Sequence, residues 1–189
     1  MGEGTPLLVL GLGNVLCGDD GLGAIGVHLL KTWYQAPKGA ELVDGGTLGL
    51  SLLPLLQDAE RVVIIDAIRS AGAKPGTPVH LRGDDVAQAV RERLSPHQIG
   101  VADLLDGARL LGCCPRKMTL LGLVPENLTL GVGLSPAVER AMPRLVERIV
   151  GEARALGFAF RRRPCDAEEP RLDDACDVAG VLGLRRKGR

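Results

Sequence analysis

Arg61-Val62-Val63-Ile64-Ile65-Asp66 decides how this chain folds. Four consecutive β-branched residues disfavour a helix and favour a strand. The run has no polar alternation, so both faces of that strand are covered, as in the middle of a parallel sheet flanked by helices. Similar apolar runs lie on either side. Leu7-Leu8-Val9-Leu10 stops at Gly11-Leu12-Gly13-Asn14, Glu41-Leu42-Val43-Asp44 stops at Gly45-Gly46, and Met118-Thr119-Leu120-Leu121-Gly122-Leu123-Val124 follows later. Pro78-Val79-His80-Leu81 is weaker, and its proline assigns it to an edge. Helical segments fall between these strands, at about residues 21–33 and 48–56. The alternation predicts one α/β domain over residues 1–160, with a mostly parallel sheet of about five strands and helices on both faces, three layers in all. The order of the strands does not follow from the sequence.

Two more helices announce their starts. Ser95-Pro96-His97-Gln98 places a serine at the N-cap, proline at the first helical position and glutamine at the third. Ser135-Pro136 opens the last helix in the same way. Val138, Ala141, Leu145, Ile149, Ala153 and Leu156 follow at helical spacing and predict a buried face, with Pro143 as a site for a kink. After Phe160 the composition turns to mixed charge, and residues 161–189 read as a loosely ordered tail.

Composition narrows the function. Lys+Arg and Asp+Glu balance at 23 each, so the basic footprint of a nucleic-acid binder is missing. No apolar run reaches the roughly 18 residues of a membrane span, and the N-terminus lacks the basic start of a signal peptide. The five cysteines are odd in number and form no CxxC pair, which argues against a disulfide framework or a structural zinc site. These features predict a cytoplasmic protein.

Candidate chemistry lies where strands end. Ligands of open α/β sheets bind beyond the carboxyl ends of the strands. Asp20 follows the first strand at the mouth of the first helix, where the positive helix end favours an ionised carboxylate. Of the adjacent pair, Asp19 is taken as the helix cap and Asp20 as the site residue. Asp66 ends the central strand, and Asp44 ends the second. His97 sits in the first turn of its helix, where the positive end keeps the ring neutral and able to ligate a metal. Carboxylates with an imidazole suit a divalent transition metal, and three protein ligands leave room for substrate. His28 and His80 fall inside a helix and a weak strand.

Other readings fall short. Gly11-Leu12-Gly13-Asn14-Val15-Leu16 begins like a dinucleotide-binding loop, but Leu16 stands where a third glycine is needed. The same opening resembles that of peptidyl-tRNA hydrolases, yet Val15 replaces the expected proline and the histidine–asparagine pair is missing. There is no GxSxG elbow. Cys17 reads as a small buried thiol.

Taken in order, Gly11-Leu12-Gly13-Asn14, Gly18-Asp19-Asp20-Gly21-Leu22-Gly23, Asp44-Gly45-Gly46-Thr47, Ile65-Asp66-Ala67, Ser95-Pro96-His97-Gln98, Gly122-Leu123-Val124-Pro125-Glu126 and Gly133-Leu134-Ser135-Pro136 resemble the hydrogenase maturation endopeptidases. The likeness covers about residues 5–157. It implies an endopeptidase that trims a C-terminal extension from the nickel-loaded large-subunit precursor of a nickel–iron hydrogenase. It places the metal-contacting and catalytic positions on Asp20, Asp66 and His97, with nickel supplied by the substrate and no permanently bound cofactor. Asp44, Gly45, Gly46 and Thr47 are assigned to substrate contact, the glycines having a tight turn as their alternative role. The competing expectation is a non-catalytic, nickel-dependent checkpoint that grips the same precursor without cutting it. The tail after about residue 160 departs from the family.

Overall fold

The computed structural model describes residues 5–86, 88 and 99–164. The chain runs β1 (Thr5–Leu12), a 3-10 turn (Gly18–Gly21), α1 (Leu22–Trp33), β2 (Tyr34–Gln35), β3 (Ala40–Gly46), α2 (Leu53–Asp58) and β4 (Ala59–Ala67). It continues through β5 (Pro78–Arg82), α3 (Ile99–Leu110), β6 (Lys117–Leu123), α4 (Pro136–Ala155) and β7 (Arg161–Arg162). The main sheet has five strands in the order β3-β1-β4-β6-β5. All its pairs are parallel except β5 with β6. The central run around Ile64 is β4, held between β1 and β6 and buried from Val62 to Ala67. Proline-led β5 is an outer strand, as its composition predicts.

Helices cover both faces, and each face has its own core. On one, α1 and α4 pack Leu22, Ile25, Leu29, Val138, Met142 and Ile149 against Leu7, Val9, Val63 and Ile65. On the other, Leu52, Leu56, Leu104 and Leu105 pack against Leu8, Leu10, Val62 and Ile64. Alternate residues of β1 and β4 thus point to opposite helical layers, which is why neither strand shows a polar face. The three-layer α/β architecture read from the sequence is the observed one.

The chain leaves β1 toward β3 and then crosses back to β4 on the other side of β1. The strand order therefore reverses between β1 and β4, and in open α/β sheets the ligand crevice lies at such a reversal, beyond the carboxyl ends of the strands. Close glycine packing fixes what lies over it. A Cβ on Gly23, in the first turn of α1, would collide with the Leu12 backbone and stand 2.6 Å from Ile65 O. Only a glycine lets the start of α1 settle onto the ends of β1 and β4 together.

Several local expectations change. The first helix is preceded by the 3-10 turn, and its N-cap is Gly21 with no side-chain cap. Ser135 occupies the N-cap of α4, but its side chain makes no capping bond. The segment at 48–56 divides into a 3-10 turn (Gly49–Leu52) and α2. Helix α4 is assigned unbroken through Pro143. Arg161–Arg162, at the head of the expected tail, pair antiparallel with Tyr34–Gln35, and Arg163 N donates to Trp33 O at 2.8 Å.

Candidate functional site

Asp20 stands in the 3-10 turn over the β1/β4 crevice and is 3% exposed. Its Oδ2 accepts a hydrogen bond from Asn14 N at 2.8 Å, and its own N–H donates to Cys17 O. Among the described residues Oδ1 has no hydrogen-bond partner, so one carboxylate oxygen anchors the side chain and the other can serve a ligand. Asp66 is 7% exposed near the end of β4, where it faces Gly122 of β6 in register. Its Oδ1 accepts from Ala67 N at 2.7 Å. Gly11 of β1 pairs with Ile65, the residue before Asp66, and the first turn of α1 rests on Ile65 O. Backbone pairing therefore puts the Asp20 turn and Asp66 near the carboxyl ends of neighbouring strands.

His97, the third expected ligand, lies outside the described residues, as does the Ser95-Pro96-His97-Gln98 helix start. Among the described residues no three His, Cys, Asp or Glu side chains group as a metal site. Asp20 and Asp66 are carboxylate donors of the kind that, with one imidazole, fit a divalent transition metal. His28 lies within α1, and His80 lies on β5 with Nε2 3.5 Å from Glu152. Neither joins the crevice.

Asp44 is exposed at the end of β3, opposite Gly11. Its Oδ1 accepts from Gly46 N at 3.0 Å, which closes a short turn. Gly46 has φ +47 and its carbonyl accepts from Gly13 N at 3.0 Å, while Leu48 N donates to Gly45 O. The glycines thus make the tight turn and tie it to the loop after β1. Thr47 is exposed beside them.

Asp19 has a different job from the one expected of it. It is fully buried, yet it does not cap α1. Its Oδ2 accepts from Glu126 N at 2.7 Å, Asn127 N at 3.0 Å and Ser135 Oγ at 2.9 Å. Its Oδ1 accepts from Ser135 N at 2.6 Å. One carboxylate therefore binds the turn carrying Asp20 to the loop after β6 and to the start of α4. This explains why the Ser135 hydroxyl is turned away from its own helix. Gly18 N donates to Gly131 O and Gly131 N to Leu16 O, reinforcing the same junction. The adjacent Asp19-Asp20 pair between glycines was the available signal. Its partners, more than 100 positions away, were not legible.

A second polar cluster lies on the helical face shared by α1 and α4. Glu152 is 8% exposed and accepts from Arg82 Nη2 at 2.6 Å and from Thr119 Oγ1 at 3.0 Å. Burial pushes the Glu152 carboxyl up, but the Arg82 and Thr119 hydrogen bonds outweigh it and hold the pKa below the usual range. Burial, with Arg82 alongside, holds His80 below an ordinary histidine against the opposing pull of Glu152. This cluster fastens α4 to β5 and β6 and belongs to stability.

The hydrogenase maturation protease family profile, HycI, matches residues 26–152. Hydrogenase 2 maturation protease of Escherichia coli strain K12 is 38% identical over 151 residues, covering 80% of this chain and 92% of that protein. Hydrogenase expression/formation protein HupD of Rhodobacter capsulatus is 41% identical over 154 residues, 80% of this chain and 73% of its own length. Among solved structures, the hydrogenase maturating endopeptidase HybD from E. coli has TM-score 0.80 at 37% identity, over 84% of this chain and 98% of that one.

Proposed function

This chain belongs to the hydrogenase maturation protease family and is an endopeptidase, and on that premise we propose that it removes a C-terminal extension from the nickel-loaded large-subunit precursor of a nickel–iron hydrogenase. The observation that carries the reading is the pair of buried carboxylates, Asp20 and Asp66, at the reversal of strand order, with one oxygen of Asp20 pinned and the other open. Carboxylate donors of this kind suit a divalent transition metal. Topology supports His97 as the third member. Helix α3 leads down into the start of β6, so its N-terminal end, two residues beyond His97, is directed toward the carboxyl edge of the sheet.

In this reading Asp20, Asp66 and His97 contact nickel held by the precursor, and the metal polarises the scissile amide as a Lewis acid. One of the two carboxylates takes the proton of the attacking water. The turn of Asp44, Gly45, Gly46 and Thr47, fixed to Gly13, presents backbone groups to the substrate chain. The enzyme holds no permanent metal of its own. No helix among the described residues is long and apolar enough to cross a membrane, and the odd, unpatterned cysteines support the cytoplasm as the place of action. A precursor checkpoint without cleavage is disfavoured by the proteases among its relatives.

The test is mass spectrometry of a nickel-loaded precursor after incubation, beside a nickel-free control. Loss of a C-terminal peptide from the loaded sample alone is expected. Binding with no mass change would establish the checkpoint instead, and cleavage in both samples would remove nickel as the gate. His97→Ala should abolish processing with the fold retained; wild-type cleavage by that variant would exclude His97 from the site.

A further inference from the structure

Helix α4 presents Arg140, Arg144 and Arg148 on successive turns, all exposed, along a groove of about 560 Å³ floored by Pro78, Leu123 and Leu145. Among the described residues none of the three arginines has a carboxylate partner. A row of guanidinium groups with no carboxylate partner among the described residues, over an apolar floor, fits an extended acidic peptide. Such a peptide belongs to this chain: residues 166–177 hold six acidic side chains and one arginine.

We propose that the acidic stretch of the C-terminal tail, centred on Asp173, Asp174 and Asp177, docks in the arginine groove of α4. The dimensions agree. Eight helical residues from Arg140 to Arg148 span about 12 Å. Bound as an extended chain, the segment would put Asp173 and Asp177 on one face, about 13 Å apart. The β7 strand joins the tail to Tyr34–Gln35 at the end of α1, and α1 and α4 cover the same face of the sheet. Nine residues from Pro164 to Asp173 reach up to about 30 Å. Tethering supplies an effective concentration in the millimolar range, so the groove and its apolar floor need only about millimolar affinity for the segment to populate the docked state. Any other acidic segment must then compete with the tail for this groove.

The test uses the full chain and a glutamate-specific protease, with mass spectrometry following cleavage after Glu168. In about 0.01 M salt, wild-type cleavage should be at least about twofold slower than in the triple variant Arg140→Ser, Arg144→Ser, Arg148→Ser. In about 1 M salt the two should converge. A charge swap guards against indirect effects: Asp173→Lys with Asp174→Lys should speed cleavage, and adding Arg144→Glu with Arg148→Glu should slow it again. Equal rates for wild type and triple variant in low salt would overturn the proposal. If the triple variant keeps the wild-type rate but loses its grip on a precursor, the groove belongs to the partner and the proposal also fails.

Discussion

Asp19 and Asp20 are neighbours with the same side chain, yet their surroundings separate their roles. Asp19 is saturated: both oxygens accept from Glu126, Asn127 and Ser135, and none is left for a ligand. Asp20 spends one oxygen on Asn14 and keeps the other open to the crevice. Substitutions should therefore split stability from activity. Asp19→Ala takes the acceptor from the part-buried N–H groups of residues 126, 127 and 135, at roughly 1–3 kcal/mol for each group that water does not reach, not strictly additive. Urea unfolding should show a loss of about 3 kcal/mol or more; a change under 1 kcal/mol would mean that the loop and helix start are held by other contacts. Asp20→Asn preserves an oxygen for Asn14 N and removes only the charge. Its unfolding midpoint should stay near wild type, while precursor processing falls at least about 100-fold, in the range for loss of a proton-transfer or metal-contacting group. An active Asp20→Asn enzyme would assign Asp20 to structure.

At the scale of elements, the legible parts are those whose signal is local. Strand β4 declares itself because its β-branched run is covered on both faces, and α4 because its apolar residues recur at helical spacing. Even Glu152 could have been noticed, three residues after Ile149 and seven after Leu145 on that buried face. What escapes is built from distant pairs: the strand order, the two-residue ribbon of Tyr34–Gln35 with Arg161–Arg162, and the Asp19 junction. Of the expected site, Asp20 and Asp66 both lie near the carboxyl ends of β1 and β4, because the packing of Gly23 on Leu12 and Ile65 brings the Asp20 turn onto the sheet. Gly23→Ala should lift α1 off the strand ends, since backbone cannot yield as a flexible side chain does. A loss of about 1–3 kcal/mol in denaturant unfolding is expected, with processing reduced beyond it. The Glu152 fastening should respond to acid. Both His80 and Glu152 are held below their ordinary pKa values of 6.5 and 4.5, so the unfolded chain binds more protons than the folded one. Stability is fully present above those values and is lost as pH falls, first through the His80 window and then below about 4.5. Thermal unfolding of Glu152→Gln should show a flatter dependence below about pH 5 than wild type; parallel curves would remove Glu152 from the acid response.

For the molecule as a whole, the question is whether the metal belongs to the enzyme or travels with the substrate. The two cases differ in the thermodynamics of the free protein. A metal resident at Asp20 and Asp66 binds the folded chain alone and stabilises it by mass action, about 2.7 kcal/mol at a concentration 100 times its dissociation constant. For a chain of this length, each kcal/mol moves the unfolding midpoint by roughly 2–4 °C. Chelation of a resident metal should then lower the midpoint by about 5–10 °C. A substrate-borne nickel predicts something else. The two carboxylates alone form an incomplete donor set, and the open position on Asp20 is filled only when the precursor arrives. The purified enzyme should unfold at the same temperature with and without a strong chelator. Precursor from which nickel has been withdrawn should resist cleavage by that same enzyme, and reloading nickel into the precursor should restore processing. A large drop in midpoint on chelation, with the metal recovered from the free enzyme, would move the metal from substrate to protein. The crevice would then be a resident catalytic centre whose third ligand is present before the precursor binds.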